Sequence, residues 1–472
     1  MALRSSGISG YVVKDKTKTT AGETIIKPKP HIQRDASTRL EIIVVGAGLG
    51  GVGSAIALLL AGHSVTILEA AAQIAEVGAG IQVLPNSSRV LQEWGLRDML
   101  DRYATEPSHV NMLGWKGNLI SRMSTAESAA PYPGTVYWDF HRANLHKCLV
   151  ERAVELGAKL EVNKKVSDVR PREDGATVVL EGGEEWRADL VVGADGIASR
   201  LREIMVGKPD PPTLTGDLAY RLLLKTEDMK KDPELRSFIE TPQVNYWLGP
   251  DAHAVNYVLR GGELFNMVLL VPDDMPEGVN VTPGNVAEMQ ALYKDWDPRI
   301  VKLLALCESV HKWRLSIREG MDCWSHPSGS FTLLGDAVHA TLPYLASGAG
   351  MALEDGAVLG ELFARSKNPK DPAERRRLLE LYEKCRKQRT EMVVRRGNLQ
   401  QWLYHLHDGA EQQERDRKMQ AMEPGEALAW RDSNLAPQLL GYEVDKDVDR
   451  YWYSEGEKAR GAVGDDSIRA SL

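Results

Sequence analysis

Cysteine is scarce in this sequence, and the cysteines that occur are not paired. The 472 residues contain four, which stand singly at Cys148, Cys307, Cys323 and Cys385. Without CxxC pairs or the Cys/His spacing of zinc ligands, the sequence predicts neither a disulfide framework nor a metal site. Unpaired thiols are typical of a reducing compartment, so we expect a cytoplasmic protein.

Long apolar runs and an excess of basic residues are also absent. No uninterrupted apolar stretch reaches the roughly 20 residues that a membrane-spanning helix needs, so no transmembrane segment is expected. Lys and Arg number 58 against 66 Asp and Glu, which gives a net charge of −8. Because binding to a phosphate backbone needs a surplus of Lys and Arg, we expect no nucleic-acid partner.

The remaining composition is that of a folded globular chain. Hydrophobic residues make up 43% and charged residues 26% of the sequence, and the length favours two or three domains that are interleaved along the chain. The first 38 residues contain KDKTKTT and KPKP and lack the apolar centre of a signal peptide. They predict a mobile tail.

A βαβ pattern begins directly after this segment. EIIVV and SVTILEA read as buried strands on either side of the helix VGSAIALLLAG. Gly46, Gly48 and Gly51 form GxGxxG in the first turn, where backbone amides can approach a pyrophosphate, and Glu69 ends the second strand, where a carboxylate can bind ribose hydroxyls. The pattern predicts FAD or NAD rather than NADP; the alternative is that the glycines only permit tight packing.

Two later segments repeat the change from a buried strand to a glycine turn. In LVVGADGIASRLR the strand ends at Asp195 and Gly196, a pair that is also common in simple turns. In LLGDAVHATLPYLASGAGMALEDG it ends at Gly335 and Asp336, and Gly348 then opens a helix. An aspartate at such a strand end can bind a ribityl hydroxyl.

The three segments, in this order, resemble the flavoprotein aromatic hydroxylases of the para-hydroxybenzoate hydroxylase type, in particular the fungal salicylate-hydroxylase-like members. The likeness covers roughly residues 41–362. It implies an enzyme that binds FAD, takes electrons from NADPH or NADH, and hydroxylates a phenol-like substrate with O₂ through a flavin C4a-hydroperoxide. No second GxGxxG follows a strand, so the nicotinamide donor is expected to bind transiently. The protein is expected to be a monomer or homodimer.

The resemblance also implies the fold. We expect an α/β fold with a doubly wound FAD-binding domain, an interleaved and mainly antiparallel substrate domain, and a C-terminal helical segment. The strand patterns AYRLLL, QVNYWLG, HAVNYVLR and LFNMVLLV support the substrate domain, and the helix period after Pro372 supports the last segment. The expected divisions are a tail at 1–38, the FAD-binding domain at 39–105, 135–210 and 322–365, the substrate domain at 106–134 and 211–321, and the helical segment at 366–472.

The same resemblance assigns roles to individual residues. Glu69 is expected to bind the adenosine ribose, Asp336 the ribityl or pyrophosphate region, and Asp195 both FAD and the pyridine nucleotide. The remaining cofactor residues are expected at Gly80, Gln82, Arg142 and Ala349. Arg221 and Tyr257 are the catalytic candidates, because a cation and a hydroxyl donor both favour a phenolate; His253 and Pro343 are weaker candidates.

Several other functions share parts of this pattern. An epoxidase of an indole or alkene would use the same cofactor without a phenolate, and a non-catalytic binding protein of the GDP-dissociation-inhibitor kind would use the same scaffold. Arg142 and Asp336 disfavour the non-catalytic alternative. A flavin halogenase is disfavoured because GWxWxIP is absent, and a simple NAD dehydrogenase because it has no use for the Gly335–Asp336 turn.

Overall fold

The computed structural model describes residues 24–74 and 79–454. These residues form eighteen strands, and their bounds in chain order are β1 (Glu41–Val45), β2 (Ser64–Leu68), β3 (Gly80–Val83), β4 (His109–Gly114), β5 (Leu119–Ser124), β6 (Trp138–His141), β7 (Lys159–Glu161), β8 (Val166–Arg172), β9 (Gly175–Leu180), β10 (Glu185–Ala188), β11 (Leu190–Gly193), β12 (Thr213–Lys225), β13 (Val244–Gly249), β14 (Ala252–Leu259), β15 (Leu264–Pro272), β16 (Val281–Gly284), β17 (Val310–Ile317) and β18 (Phe331–Leu333).

Fifteen α-helices with defined bounds connect or follow the strands within the described ranges, and residues 444–454 are also helical. They are α1 (Leu49–Leu60), α2 (Pro85–Glu93), α3 (Arg97–Leu100), α4 (Thr125–Ala129), α5 (Arg142–Glu155), α6 (Arg200–Val206), α7 (Thr226–Met229), α8 (Pro233–Glu240), α9 (Val286–Leu292), α10 (Pro298–Ala305), α11 (Asp336–His339), α12 (Gly348–Arg365), α13 (Pro372–Tyr404), α14 (Ala410–Ala421) and α15 (Leu435–Leu440). Short 3₁₀ turns occur at Arg260–Gly262, Pro343–Leu345 and Glu426–Arg431.

A five-stranded parallel sheet forms the first layer, in the order β18-β11-β1-β2-β7. Its central strands are continuous apolar runs because helices cover them, as parallel sheets require. Helices α1 and α12 pack closely through small residues, since a side chain on Gly356 would come within 2.8 Å of the Ser54 backbone. The carboxyl ends of β1, β11 and β18 therefore meet at one edge, which is where ligands bind in such sheets.

An eight-stranded mixed sheet forms the second layer, in the order β16-β17-β12-β15-β14-β13-β4-β5. All neighbours are antiparallel except β13 and β4. Strands β4 and β5 lie within the predicted insertion at 106–134 and join the strands that come from 211–321. The predicted α/β fold with a mainly antiparallel second sheet is confirmed, and the domain boundaries stay predictions.

The long helix α13 ties the C-terminal segment to the cofactor-side helices. Its Arg386 is fully buried and donates from Nε to Asp355 and from a terminal nitrogen to Glu354, each at 2.7 Å. Burial raises the pKa of both carboxyls, but nearby cationic groups outweigh it, so the pKa of each lies below its ordinary value. Asp355 also accepts from the Gly335 amide at 2.9 Å and lies 2.6 Å from His339 Nε2. We call these residues the α12–α13 ion cluster.

The N-terminal segment differs from its prediction. Residues 24–38, expected as part of a mobile tail, lie against the body of the protein. The amide of Lys29 donates to the carbonyl of Glu93 at 2.7 Å, the amide of Ile32 to that of Leu60 at 2.8 Å, and the Lys29 ammonium pairs with Glu361. Backbone hydrogen bonds and ion pairs of this kind hold a polar segment in place, although the segment has no apolar centre of its own. The remainder of the predicted tail, residues 1–23, lies outside the described residues.

The described residues lack two kinds of feature. None of their helices combines the length and apolar character needed to cross a bilayer. Within the same ranges, 24–74 and 79–454, no three His, Cys, Asp or Glu side chains are grouped as metal ligands.

The α12–α13 ion cluster makes a testable contribution to stability. We expect Arg386→Met to destabilise the protein by about 3–5 kcal/mol, because it leaves buried carboxylates without their shared cation. Thermal and denaturant unfolding would measure the loss. Arg170→Met removes an arginine whose partners Asp168 and Glu185 are exposed, and it should leave the midpoint unchanged. Equal midpoints for both variants would contradict a stabilising role for the cluster.

Candidate active site

One continuous cavity of about 320 Å³ lies between the two main sheets. Its size falls in the roughly 300–1,000 Å³ range of small-molecule sites. The cavity extends from the turn after β1 to the face of the eight-stranded sheet, and it is also lined by β3 and by the segment from β18 to α12. Ten of the candidate site residues line it, namely Gly48, Gly80, Gln82, Arg142, Arg221, His253, Tyr257, Asp336, Pro343 and Ala349.

The GxGxxG turn brings the start of α1 to the cavity wall. Gly46 has φ +104°, and a side chain there would collide with the carbonyl oxygen of Ala194, so only glycine fits. Gly48, by contrast, has open space where a Cβ would lie. No side chain caps the helix at Gly48 and no acidic residue lies in its first turn. Its free amides and positive end therefore offer a site for a phosphate.

The Gly335–Asp336 turn brings a second helix start to the same cavity. Asp336 is exposed, and its carboxylate makes no hydrogen bond or ion pair with the described residues. Helix α12 begins twelve residues later at Gly348, with Ala349 on the cavity wall, and lacks both a side-chain cap and an acidic residue in its first turn. Asp336 can therefore accept from ligand hydroxyls, while the start of α12 favours a negatively polarised ring edge.

Strand β3 forms the wall between these helix starts and the second sheet. The amide of Gly80 donates to Asn266 Oδ1 at 2.7 Å, and a side chain on Gly80 would approach the Tyr257 hydroxyl to 2.6 Å, so the close contact of the two layers requires glycine. Gln82 donates to the buried Asp139 at 3.1 Å and accepts from Tyr246 at 3.3 Å. Burial raises the pKa of Asp139 well above its ordinary value, against the hydrogen bond from Gln82, which lowers it.

The register of the eight-stranded sheet gathers the substrate-side residues on one face. Arg221 pairs with Val268, Val268 with Val255, and Val255 with Tyr246, so one row crosses four strands. Because side chains alternate along a strand, residues two positions from Val255 share its face. Both His253 and Tyr257 meet that condition and line the cavity. The register therefore brings together the two catalytic candidates and the weaker candidate His253.

Arg221 gives this face an uncompensated positive charge. Its Nε is shielded from solvent without a partner, its guanidinium lies 5.4 Å from the Trp313 ring centroid, and no carboxylate of the described chain pairs with it. Burial, and then the charge of Arg142, lower the pKa of Arg221. Burial raises the pKa of Tyr257 well above its ordinary value, so its hydroxyl stays protonated. The site thus offers a cation and a hydroxyl donor to an anionic ligand.

Four of the predicted cofactor residues, Gly46 among them, are not on the cavity wall. Glu69 accepts from the amides of Ala47 at 2.9 Å and Ala71 at 2.8 Å, which fixes it beside the first turn. Asp195 accepts from Ser199 Oγ at 2.6 Å and from the Leu201 amide at 3.0 Å, so it organises the start of α6. Gly51 lies inside α1. Their roles toward FAD and the pyridine nucleotide stay predictions.

Sequence reasoning missed other residues of the wall. Tyr246 and Tyr344 both line the cavity, although neither was a candidate. Tyr246 lies in the predicted strand QVNYWLG, and the alternation of side chains along this strand did not show which face of the sheet Tyr246 occupies. Tyr344 directly follows the weaker candidate Pro343, and its hydroxyl donates to Asp217. The strand register, which the sequence does not reveal, is the missing signal for Tyr246.

The residues present fit a flavin dinucleotide. Two uncapped helix starts face one cavity, Gly48 leaves open space at the first, and Asp336 offers an unengaged carboxylate between them. These are the features that bind the pyrophosphate, ribityl chain and ring of such a cofactor. The fold and site together define a flavoprotein whose cavity extends onto the second sheet.

Comparisons with known proteins agree with this class. The model of the family described as "FAD binding domain" matches residues 39–397. FAD-dependent monooxygenase OpS4 of Beauveria bassiana (strain ARSEF 2860) is 39% identical over 86% of this chain and 95% of its own length. The 3-amino-4-hydroxybenzoate 2-monooxygenase PtmB3 of Streptomyces platensis is 35% identical over 84% of this chain and 96% of its own. A solved salicylate hydroxylase substrate complex has a TM-score of 0.72 at 23% identity, covering 88% and 98%.

The chain therefore belongs to the FAD binding domain family. It is an FAD-dependent monooxygenase that uses NADPH or NADH as electron donor. The predicted family, cofactors and enzyme class are confirmed, and the non-catalytic alternative is set aside.

The open carboxylate of Asp336 leads to a prediction about cofactor affinity. We expect Asp336→Ala to weaken FAD binding roughly 10- to 100-fold, the effect of losing a charged hydrogen bond of about 1.5–3 kcal/mol. Titration of the apoprotein with FAD, followed by flavin fluorescence, would measure it. Asp322→Ala, at an exposed position outside the cavity, is the matched control. Unchanged affinity in Asp336→Ala would remove Asp336 from the cofactor site.

Proposed function

We propose that this monooxygenase hydroxylates a phenolic aromatic ring, and that Arg221 and Tyr257 bind an anionic oxygen of the substrate. The observation that carries the proposal is the unpaired Arg221 on the cavity face of the second sheet. A cation shielded from solvent is costly unless an anion joins it, so the cavity favours a ligand with a phenolate or ring carboxylate. PtmB3, the relative from Streptomyces platensis, is named for a substrate with both groups.

The chemistry of the reaction belongs to FAD, which when bound takes electrons from NADPH or NADH and activates O₂ for transfer to an electron-rich carbon. The chain supplies binding, charge and exclusion of water. Arg221 lowers the pKa of a nearby phenol by favouring its anion, and the protonated Tyr257 donates a hydrogen bond to the same or a neighbouring oxygen. Val255, Val268 and Leu270, which line the same face, keep water from the reacting ring.

The alternative substrate class, an indole or alkene that is epoxidised, has no use for this pair. An uncharged substrate would leave Arg221 without a counter-ion, and no observation in the cavity favours it. We further propose a cytoplasmic protein, since the four cysteines have no disulfide partners and three of them are buried. We also propose that it is a monomer or homodimer.

Anaerobic stopped-flow reduction of the bound flavin tests the substrate class. We expect hydroxybenzoates and salicylates to accelerate reduction by NADPH or NADH, because a bound anion completes the charge at Arg221, whereas indoles and simple alkenes should not. Admission of isotopically labelled O₂ should then place one labelled oxygen on the aromatic ring, detected by mass spectrometry. Stimulation and oxygenation by indoles or alkenes alone would overturn the proposal in favour of epoxidation.

Variants of the two candidate residues test their roles. Arg221→Met should raise the dissociation constant of a stimulating phenolic acid roughly 10- to 100-fold, because a charged hydrogen bond is lost, and Tyr257→Phe about 2- to 10-fold, because the lost bond is neutral. Both should retain FAD. Arg187→Met, which removes an exposed arginine on β10, outside the two main sheets, is the control. Wild-type affinity in Arg221→Met would show that the guanidinium does not bind the substrate.

A further inference from the structure

Residues 24–38, which we call the N-terminal strap, cross the far ends of the two helices that begin at the active-site cavity. Helices α1 and α12 start at the cavity wall, beside Gly48 and at Gly348. They contain 12 and 18 residues, so their far ends lie about 18 and 27 Å from these starts. The strap reaches the end of α1 through its backbone, because the Ile32 amide donates to the Leu60 carbonyl at 2.8 Å.

One side chain of the strap, Arg34, bonds to both helix ends. Its Nε donates at 2.8 Å to the carbonyl of Ala61, the residue that caps α1. Its terminal nitrogens donate to three carbonyls at the end of α12, those of Phe363 at 2.6 Å, Ala364 at 3.0 Å and Ser366 at 3.0 Å. The last carbonyls of a helix have no partner within the helix, and a guanidinium has five donors to offer them. Arg34 therefore joins the two helices through four hydrogen bonds.

A second side chain of the strap, Lys29, adds an ion pair to α12. Its ammonium lies 2.7 Å from Glu361 Oε2 and also pairs with Asp445. The strap lies directly on the turn that follows α1, since a side chain on Gly62 would come within 2.6 Å of the Ile32 carbonyl oxygen. The strap is thus attached to α1 and to α12 at more than one point each.

The position of the far helix ends bears on the cofactor site because a helix is stiff along its axis. Its backbone hydrogen bonds run nearly parallel to the axis, so a shift of one end moves the other end by nearly the same distance. One bound FAD has to meet the starts of both helices, and hydrogen bonds weaken steeply when their distance or angle departs from the optimum. By joining the far ends, Arg34 constrains the offset between the two starts.

We propose that the N-terminal strap is coupled to the cofactor site, with Arg34 as a positioning residue for FAD. Arg34 lies at the end of each helix that is remote from the cavity, so it acts through α1 and α12 and not by contact with the cofactor. Coupling between two sites is reciprocal: the docked strap raises the affinity for FAD by the same factor by which FAD stabilises the docked strap. The inference goes beyond the proposed function, because it concerns retention of the cofactor and not the choice of substrate.

Titration of the apoprotein with FAD tests the coupling at Arg34. Arg34→Met removes the four bonds to the helix ends, and we expect the dissociation constant of FAD to rise at least about 5-fold, the lower end of the ordinary range for coupled sites. Flavin fluorescence would measure it well below the unfolding midpoint of each variant. Arg375→Met is the matched control, since the buried Arg375 also donates to three carbonyls, those of Gly329, Lys370 and Glu173, but bonds to neither helix. It should bind FAD as the wild type does.

Hydrogen exchange of the wild-type protein tests the reverse direction without any substitution. Mass spectrometry of peptides from the N-terminal strap would compare the apoprotein with the FAD-loaded enzyme. We expect FAD to slow exchange at the amides of Lys29 and Ile32, which donate to α2 and α1, by a factor similar to the affinity lost in Arg34→Met. Peptides from β16, an edge strand without residues on the cavity wall, are the internal reference and should exchange at the same rate in both forms.

Three results would overturn the coupling. One is wild-type FAD affinity in Arg34→Met, and another is an equal loss of affinity in Arg34→Met and Arg375→Met, which would assign the loss to general destabilisation. The third is exchange of the N-terminal strap that FAD does not slow beyond its effect on β16. If Arg34→Met does not fold, the exchange measurement on the wild type decides alone.

Discussion

The buried charges between α12 and α13 hold the active site together. Arg386 neutralises Glu354 and Asp355, which face it from consecutive positions on α12, and Asp355 in turn fixes the amide of Gly335. The turn that carries Asp336 is thereby attached to a helix of the C-terminal segment. The Gly335–Asp336 turn and the buried Arg386 are therefore parts of one arrangement, because neither Arg386 nor the carboxylates that it pairs with are tolerated alone in the interior.

The cavity forms where two layers of different character meet. The parallel sheet contributes helix starts and backbone amides, which suit phosphates and polarised ring edges, whereas the eight-stranded sheet contributes side chains in rows. Gly80 lies between them, bonded to Asn266 and in contact with Tyr257. The two sides of the cavity therefore touch directly at Gly80, so a shift of one layer displaces the other.

The local motifs were readable from sequence because their chemistry depends on neighbours in the chain. Gly48 of GxGxxG, the Gly335–Asp336 turn and Arg142 at the start of α5 all line the cavity wall. The row from Arg221 to Tyr246 was not readable, since strand register depends on turn geometry and burial rather than on composition. The contact between the rings of His253 and His405 was even less predictable from sequence, because it depends on the position in space at which a 33-residue helix ends. The tail assignment failed for residues 24–38 because composition carries no information about backbone pairing to α1 and α2.

The order of strands in the parallel sheet has a consequence for biosynthesis. Strand β1 leaves the ribosome about 150 residues before its neighbour β11 and almost 300 residues before β18. Helix α12, which covers α1, is made later still. Until then the nascent chain presents an apolar strand edge and an uncovered helix, surfaces that are prone to aggregation. These surfaces stay uncovered while almost 300 further residues are synthesised, and FAD can meet a complete site only after the segment from β18 to α12 has been made.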